Sequence, residues 1–462
     1  MAQDKPKDKP PTSKLGRLAR LASLAPRALP FAMEGAKRAL GKPRSEEEEA
    51  LARKKMGAEV KKTAEAMLKT LGEMKGLPLK FGQMASYIDG LAPPGYEEKF
   101  QTALKRLLDK APPLSPEAAV QMVTQELGAH PTEIFAAWEH QPFAAASIGQ
   151  VHRAETRDGE RVAVKVQYPG IDKAIENDLK SVAMLEAMMA PIARKLHVGQ
   201  TIDELRKVFT DELDYAREAE MMDLFRRIND GDPDVSIPRV HHGLTSRRVI
   251  TTELVHGMSY AEFCEQGSQE ARNRAGVALW RFTLRSLLRY GLLYADPHPG
   301  NYRFHPDGRV TVLDYGCVKV MPPDVVAGMK RYMIAALDED WAEFDRACVE
   351  ELGYDPKDET WELYRGYTLE LLMPICSRET WVCSKERARE AVAFLSRGIR
   401  SIALKQGEMP SIPYVPKLPQ DFTFVNRLQW GLASVLAGMR TEGDFRTATE
   451  PWIRDGVHPI PS

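Results

Sequence analysis

Short β-prone runs occur between residues 143 and 167, and their presence limits the folds that the chain can adopt. Two short β-prone runs, VHRAE and RVAVKVQ, are separated by the turn signal Arg157-Asp158-Gly159, which predicts a β-hairpin. Helical periodicity resumes over residues 171–229, and further β-prone runs follow in SIPRVHHG and RRVITTELV. Beyond Tyr260 the chain is mainly helical, except for a compact stretch at residues 294–316. The pattern predicts an α+β fold with one sheet-bearing part and one helical part.

The length of 462 residues allows two or three folded units, because single hydrophobic cores stop growing near about 250 to 300 residues. We divide the chain into a basic flexible arm (1–45), a helical extension (46–136), a sheet-bearing lobe with inserted helices (137–256) and a helical lobe (257–462). The net charge of -1 argues against wholesale nucleic-acid binding. The five cysteines are widely spaced and form no C-x-x-C pair, so neither a disulfide framework nor a zinc site is indicated.

Five motifs follow one another in a fixed order: a small-residue loop, a strand lysine, a helix glutamate, an Asp-x-x-x-x-Asn loop and an Asp-aromatic-Gly. Each is weak alone, but together they have the order of protein-kinase motifs. In VAVK, alternating apolar residues predict a buried strand that carries Lys165 into a cleft, where its ammonium would bind ATP phosphates. Glu218, in ELDYAREAE, is the candidate counter-charge. Taken alone, Lys165 would instead be an edge-strand residue reaching solvent.

The segment LLYADPHPGNYRF contains Asp296 and Asn301 at the spacing of the kinase catalytic loop. In that loop the aspartate accepts or orients the proton of the attacking hydroxyl, and the asparagine gives an oxygen to Mg²⁺. Asp314, in VTVLDYG, is the candidate principal Mg²⁺ ligand, because a carboxylate is a hard oxygen donor. Each aspartate taken singly is more typical of an ordinary Asx-turn. His298 is assigned a structural role, because no second ligand stands at a metal-ligand spacing.

Contacts to the nucleotide are expected from the small-residue loop and from the hinge where the β-prone ELV meets the turn-prone HGMS. The candidate nucleotide-binding residues are Ala144, Ala145, Ala146, Ser147, Lys165, Glu253 and Val255. The predicted cofactors are ATP (or ADP) and Mg²⁺.

Six segments resemble the ABC1/UbiB/COQ8 family in their residues and in their order along the chain: KFGQ, AAASIGQVHRA, VAVKVQYPG, ELD, ADPHPGN and LDYG. The resemblance covers roughly residues 60–455 and is specific, because ordinary protein kinases do not share DPHPGN together with KxGQ. It implies a protein-kinase-like two-lobed fold with a helical N-terminal extension packed over the cleft.

In that family the KxGQ helix lies where a peptide substrate would otherwise bind. Lys80 and Gln83 are therefore expected to point inward, with Lys80 paired to Glu212, and these three residues form the predicted regulatory set. Without the resemblance, Lys80 and Gln83 would be assigned to the solvated face of an amphipathic helix. The family also has alanines where kinases have glycines over the phosphates. Alanine disfavours positive φ angles, which predicts an altered nucleotide geometry.

The sequence departs from the family pattern at two tyrosines. Tyr294 stands where the family usually has histidine, and Tyr315 stands where it usually has phenylalanine. The stretch after Gly316 has no A-P-E motif and no room for a conventional activation loop. We therefore do not expect control by activation-loop phosphorylation.

The first 44 residues carry eleven Lys or Arg against three Asp or Glu, a net charge of +8. Leucines recur at every third position from Leu15 to Leu24, which predicts an imperfect amphipathic helix attracted to anionic lipid; a solvated basic tail fits the pattern equally well. No run of about 18 apolar residues occurs. We therefore expect a chain that is cytoplasmic or peripheral on a membrane, without a transmembrane helix. The Arg-rich, acid-poor arm leaves organellar targeting open.

The resemblance implies an atypical kinase or ATPase that requires Mg-ATP and supports ubiquinone (isoprenoid quinone) biosynthesis at a membrane surface. Among active forms, we favour ATP hydrolysis coupled to lipid or lipid-precursor binding over phosphorylation of proteins. The alternatives are a nucleotide-binding pseudokinase scaffold for lipid-modifying partners and a small-molecule kinase, whose class lacks KxGQ. Nucleotide is the expected partner; anionic lipid and quinone-biosynthesis intermediates or proteins are candidate partners, and nucleic acid is not expected. The oligomeric state is not predicted.

Overall fold

The structure is a computed structural model that describes residues 115–188, 210–387, 390, 394 and 422–460. The basic arm and the predicted extension up to residue 114, with Lys80 and Gln83, lie outside the described residues.

The described residues form both helices and strands. The helices are α1 Pro116–Leu127, α2 Pro131–Ile134, α3 Ile171–Met188, α4 Tyr215–Ile228, α5 Tyr260–Gln266, α6 Gln269–Tyr290, α7 Pro323–Leu337, α8 Trp341–Leu352, α9 Trp361–Cys376, α10 Phe422–Met439 and α11 Glu450–Arg454. The strands are β1 Ala137–Trp138, β2 Ala144–Ala145, β3 Gly149–Glu155, β4 Arg161–Gln167, β5 Val235–Ser236, β6 Val249–Glu253, β7 Leu292–Tyr294, β8 Tyr302–Phe304, β9 Val310–Val312, β10 Val318–Val320, β11 Trp381–Val382 and β12 Glu442–Gly443. Two short 3-10 helices, His242–Leu244 and Pro299–Asn301, complete the described elements.

An antiparallel sheet forms the first lobe. Strands β1, β3, β4 and β6 pair in that order, and β2 also pairs with β3. The predicted hairpin is β3 and β4, in register from Gly149 opposite Gln167 to Glu155 opposite Arg161. Its turn contains Gly159 at φ 81°, a left-handed conformation that glycine adopts without strain.

The two faces of this sheet have different neighbours because side chains alternate along a strand. Val162, Val164 and Val166 of β4 are fully buried in a core that includes the apolar face of α1. The residues between them, Ala163 and Lys165, line the cleft between the lobes on the opposite face. Helix α1 therefore fixes the back of the sheet that carries the lysine.

Helix α4 crosses from the sheet to the second lobe. It begins at Asp214, whose carboxylate accepts from the N–H groups of the first helical turn. Just beyond its other end, Arg285 of α6 donates to Asn229, and Asp232 pairs with Arg281 at 3.0 Å and with Arg285 at 3.2 Å. The Asp232 side chain is only 3% exposed, so these ion pairs are largely shielded from solvent. We call Asn229, Asp232, Arg281 and Arg285 the α4–α6 tether.

The second lobe is mainly helical, and its short strands position two loops at the cleft. Strands β5, β9 and β8 form one small sheet, with β5 parallel to β9, and β7 pairs with β10. The loop with Asp296 and Asn301 lies between β7 and β8, and Asp314 lies between β9 and β10. None of the helices in the described part of the chain is both long and apolar enough to cross a membrane.

Candidate functional site

A cleft of about 530 Å³ lies between the two lobes. Its volume falls in the range of small-molecule and cofactor sites. Every predicted site residue of the described part of the chain lines it: Ala144, Ala145, Ala146, Ser147, Lys165, Glu212, Glu218, Glu253, Val255, Asp296, Asn301 and Asp314. The roles of Lys80 and Gln83 remain predictions, because both residues lie outside the described residues.

Lys165 lies between two carboxylates. Its ammonium is 3.1 Å from both carboxylate oxygens of Glu218 and 2.9 Å from Oδ2 of Asp314. The three side chains are 19%, 3% and 33% exposed in that order, so the contact is largely dry on the Glu218 side. Burial alone would lower the pKa of Lys165, but the two carboxylates outweigh it and raise that pKa well above its usual value. The lysine therefore stays charged at neutral pH.

Burial also acts on Glu218 and raises its pKa, and the attraction of Lys165 opposes that rise. Glu218 accepts a further hydrogen bond from the N–H of Tyr315 at 3.4 Å. The helix glutamate thus joins the sheet lysine to the Asp-aromatic-Gly segment of the second lobe.

Asp296 and Asn301 face each other within one loop. Nδ2 of Asn301 donates to the carbonyl oxygen of Asp296 at 3.0 Å and to its Oδ2 at 3.4 Å. Because both contacts use the amide nitrogen, the amide oxygen Oδ1 is the Asn301 atom suited to ligate a cation. His298 shapes the same loop, since its Nδ1 accepts from the N–H of Gly300 at 3.0 Å. That contact caps the 3-10 helix Pro299–Asn301, which is a structural role for His298.

Asp314 has a different partner on each carboxylate oxygen. Oδ2 accepts from Lys165, and Oδ1 accepts from the N–H of Gly316 at 3.0 Å, an Asx-type contact. Glu212 is buried on the same side of the cleft, with its Cγ near Gly316. Its proposed pairing with Lys80 remains a prediction.

The alanine-rich loop continues the sheet rather than forming an open coil. Ala144 and Ala145 pair with Val151 and Gln150, and the N–H of Ala146 donates to the carbonyl of Gly149 at 2.8 Å. None of the residues from Ala144 to Ser147 has a positive φ. Gly149 ends the loop where β3 and β4 approach closely, because an added Cβ there would lie 2.4 Å from the carbonyl oxygen of Val166.

The hinge presents backbone groups at the other end of the cleft. The N–H of Glu253 donates to the carbonyl of Arg239, and that of Leu254 donates to the carbonyl of Arg161. Within the described residues, the N–H of Val255 donates to no protein acceptor. This donor is therefore available to a ligand.

The two tyrosines that depart from the family pattern lie in an aromatic cluster beneath the cleft. The Tyr294 ring packs edge-on against Tyr315 and Phe282, and Phe225 lies against all three of these rings. The Tyr294 hydroxyl donates to the backbone carbonyl of Asp314 at 2.9 Å. The Tyr315 hydroxyl is buried and has no hydrogen-bond partner in the part of the chain described. Tyr294 thus holds the backbone of Asp314.

Tyr294→Phe is expected to lower stability, whereas Tyr315→Phe is not. The first removes a donor from the Asp314 carbonyl and should cost about 1 kcal/mol of unfolding free energy. The second removes an unpaired buried hydroxyl and should be neutral or stabilising, because a desolvated polar group without a partner is unfavourable. Urea unfolding of the two variants beside the parent checks both. Equal losses in the two variants would contradict the Tyr294 hydrogen bond.

Several cleft-lining residues escaped the sequence analysis: Phe143, Met222, Thr252, Ser259, Arg303 and Leu313. Most are apolar or small and carry no chemical signal in a sequence. Arg303 is the exception. It was overlooked because a charged residue within the β-prone YRF is typical of a solvent-facing strand position.

The two lobes, with a strand lysine paired to a helix glutamate above an Asp-x-x-x-x-Asn loop, define a protein-kinase-like fold. A family model for the ABC1 atypical kinase-like domain matches residues 106–348, more than half of the chain. The chain belongs to the ABC1 atypical kinase-like family. The predicted family and kinase-like fold are confirmed; the packing of the extension over the cleft falls outside the described residues.

Relatives of this chain include proteins named as atypical kinases. Mitochondrial atypical kinase COQ8B of Rattus norvegicus is 31% identical over 278 residues, which cover 60% of this chain and 52% of that protein. Mitochondrial atypical kinase COQ8 of Schizosaccharomyces pombe is 29% identical over 295 residues, which cover 63% of this chain and 47% of that protein. The chain spans about half the length of the curated relatives it matches.

A solved structure resembles this chain over most of its length. The complex of Rv3197 with erythromycin, from Mycobacterium tuberculosis, matches with a TM-score of 0.59 and 26% sequence identity. The match covers 88% of this chain and 100% of that chain. The kinase-like arrangement of the two lobes is therefore shared with an experimentally determined protein.

Proposed function

We propose that this chain binds ATP or ADP with Mg²⁺ and acts as an atypical kinase-like phosphotransferase or ATPase. The observation that carries the proposal is the position of the Lys165 ammonium, between Glu218 of the first lobe and Asp314 of the second. In kinases this lysine binds nucleotide phosphates, its glutamate holds it in place, and the aspartate binds the metal ion. Three residues far apart in sequence meet here in the arrangement that this chemistry requires.

The donor set fits Mg²⁺. Within the described residues no three His, Cys, Asp or Glu side chains cluster as ligands, and the cleft instead offers the Asp314 carboxylate and the Asn301 amide oxygen. Mg²⁺ in nucleotide sites is bound by one or two protein oxygens together with phosphates and water. When bound, the ion would neutralise charge on the phosphates. Asn301 is already oriented for this role, because its amide nitrogen is held by Asp296.

The remaining residues divide into a base end and a phosphate end. At the hinge, the N–H of Val255 can donate to the nucleotide base, beside Glu253. Over the phosphates, residues 144–147 would form a cover of sheet-paired alanines, which lacks the positive φ angles of a glycine loop. Asp296 would accept or orient the proton of the attacking hydroxyl or water. The cleft thus offers groups for the base, the phosphates and the attacking nucleophile.

The biological role that we propose is support of ubiquinone or related isoprenoid quinone biosynthesis at a membrane surface. It is supported by the COQ8 and COQ8B names among the relatives, which this chain matches over about half of their length. The basic arm, with a net charge of +8 over 44 residues, supports attraction to anionic lipid. Hydrolysis of ATP coupled to binding of a lipid precursor is the reaction that we favour.

Phosphate release from Mg-ATP tests this proposal. The purified chain and its Asp314→Asn variant are compared with and without anionic liposomes that carry a phenolic quinone precursor. We expect turnover that the liposomes stimulate and that the variant loses, because Asp314 is the proposed metal ligand. Tight nucleotide binding without turnover under any of these conditions would favour the pseudokinase scaffold instead. Turnover in Asp314→Asn equal to that of the parent would refute the proposed metal site.

A further inference from the structure

Arg303 places a guanidinium in the cleft that none of the roles above uses. Its neighbours in β8, Tyr302 and Phe304, are buried in the hydrophobic core. Strand alternation turns Arg303 to the other side, where it lines the cleft. A cation in this position faces whatever ligand the cleft holds.

The protein satisfies only part of this guanidinium. Nη1 donates to the carbonyl of Tyr302 at 2.9 Å and to that of Gly300 at 3.5 Å. Across the described ranges, Nε and Nη2 make no hydrogen bond and no carboxylate forms an ion pair with Arg303. Glu262 is near but forms no ion pair with Arg303, and its Oε2 accepts from both the N–H and the hydroxyl of Ser259 at 2.7 Å.

Partial burial makes the unbonded Nε and Nη2 of Arg303 energetically unfavourable in the absence of a ligand. The Arg303 side chain is half-buried in the cleft wall, and no carboxylate of the described residues forms an ion pair with it. A desolvated charge without a partner is unfavourable, and a ligand that supplies acceptors or a π face relieves the cost. The unsatisfied donors therefore point to a ligand contact.

The position of Arg303 along the cleft selects which part of a nucleotide it meets. On one side is Gly257, just past the hinge residues, where an added Cβ would lie 3.0 Å from Cβ of Arg303. On the other side is Gly300, next to Asn301. The phosphate-binding candidate Lys165 makes its contacts with Glu218 and Asp314 instead. Arg303 thus lies between the hinge and the catalytic loop, where the base and ribose would sit.

We propose that Arg303 is a specificity-determining residue that contacts the base and ribose of the bound nucleotide. Its planar guanidinium packs on the face of the base, and Nε and Nη2 donate to ribose hydroxyl oxygens. Arginine suits this task because its fork of donors is rigid and its plane stacks on aromatic rings. This inference rests on the proposed nucleotide-binding function and adds a residue that the kinase motifs do not contain.

Equilibrium binding of ATP, ADP and adenosine to three variants tests the inference. Arg303→Leu should weaken all three ligands by about tenfold to thirtyfold, because the stacking cation is lost from a partly desolvated site. Arg303→Lys keeps the charge but loses the plane, so it should recover only part of that loss. Arg309→Leu is the matched control, since Arg309 is exposed on the same hairpin and pairs with Asp307; it should bind like the parent.

The use of adenosine separates a base contact from a phosphate contact. Parent affinity in Arg303→Leu, or a loss confined to ATP and ADP, would overturn the assignment while leaving the proposed function intact. A parent chain that binds none of the three ligands would overturn both.

A second measurement avoids variants altogether. Adenosine should protect Arg303 of the parent chain from phenylglyoxal, as read by mass spectrometry, and should leave Arg309 unprotected. Equal modification of Arg303 with and without adenosine would count against the contact.

Discussion

Lys165→Met is expected to abolish Mg-nucleotide binding and to lower the free energy of unfolding by about 3 kcal/mol. The ammonium lies between Glu218, whose side chain is 3% exposed, and Asp314, whose side chain is 33% exposed. Its removal leaves two carboxylates side by side without a cation. The value is at the lower end for a broken buried ion pair, because water reaches the Asp314 side. Nucleotide titration and urea unfolding measure the two effects.

The stability loss in this variant should depend on pH. Burial already raises the pKa of Glu218 in the parent, and Lys165 limits that rise. Without Lys165 the pKa rises further above its value in the unfolded chain, so the folded variant binds an additional proton as the pH falls. The stability of Lys165→Met relative to the parent should therefore improve from about pH 8 to about pH 5.

The matched control is Lys173→Met, which replaces an exposed lysine of α3. It should change the unfolding free energy by less than about 0.5 kcal/mol and leave nucleotide affinity unaltered. If Lys165→Met bound Mg-ATP as the parent does, Lys165 would not be the phosphate ligand. A stability difference that stayed constant with pH would show that Glu218 takes up no proton.

Asp296→Asn is expected to retain Mg-ATP binding and to lower kcat by about 10²- to 10⁴-fold. The amide has the shape of the carboxylate but cannot accept a proton from the attacking hydroxyl or water. The loop should keep its conformation, because Asn301 donates at 3.0 Å to the backbone carbonyl of residue 296, which the substitution leaves in place. Equilibrium nucleotide binding and single-turnover phosphate release separate the two parameters.

Asp307→Asn serves as the control for this variant. Asp307 is an exposed aspartate in the turn after β8, where it pairs with Arg309. Its replacement should leave both binding and turnover at parent values. A normal rate in Asp296→Asn would remove the proton-accepting role, and a loss of binding in its place would make Asp296 a metal ligand.

The residues that the sequence predicted are those whose chemistry is unusual for their surroundings. A lysine in VAVK, an Asp-x-x-x-x-Asn loop and an Asp after VTVL are all polar groups next to apolar runs. Such groups must converge on a shared site or on solvent, and the order of the motifs identifies the site. The kinase-like fold could be predicted for the same reason.

Features that depend on distant pairing could not be predicted in this way. Strand β5 has two residues, and its parallel partner β9 lies 75 positions further along the chain. The arginines of the α4–α6 tether lie on a helix whose sequence also fits a solvated face. Their partners, Asn229 and Asp232, belong to a different part of the chain, so the sequence does not reveal the pairing. Arg303 was overlooked because alternation in a three-residue strand does not reveal which face meets a cleft. In each case the missing information is the identity of the neighbour.

The α4–α6 tether also bears on how this cleft could be inhibited. Ligands that displace the whole of α4 outward would have to separate Asp232, whose side chain is only 3% exposed, from both Arg281 and Arg285. That cost disfavours compounds that bind in a space created by moving α4 away from the cleft. Selective compounds are better sought at the hinge end of the cleft, which Val255 and Arg303 both line.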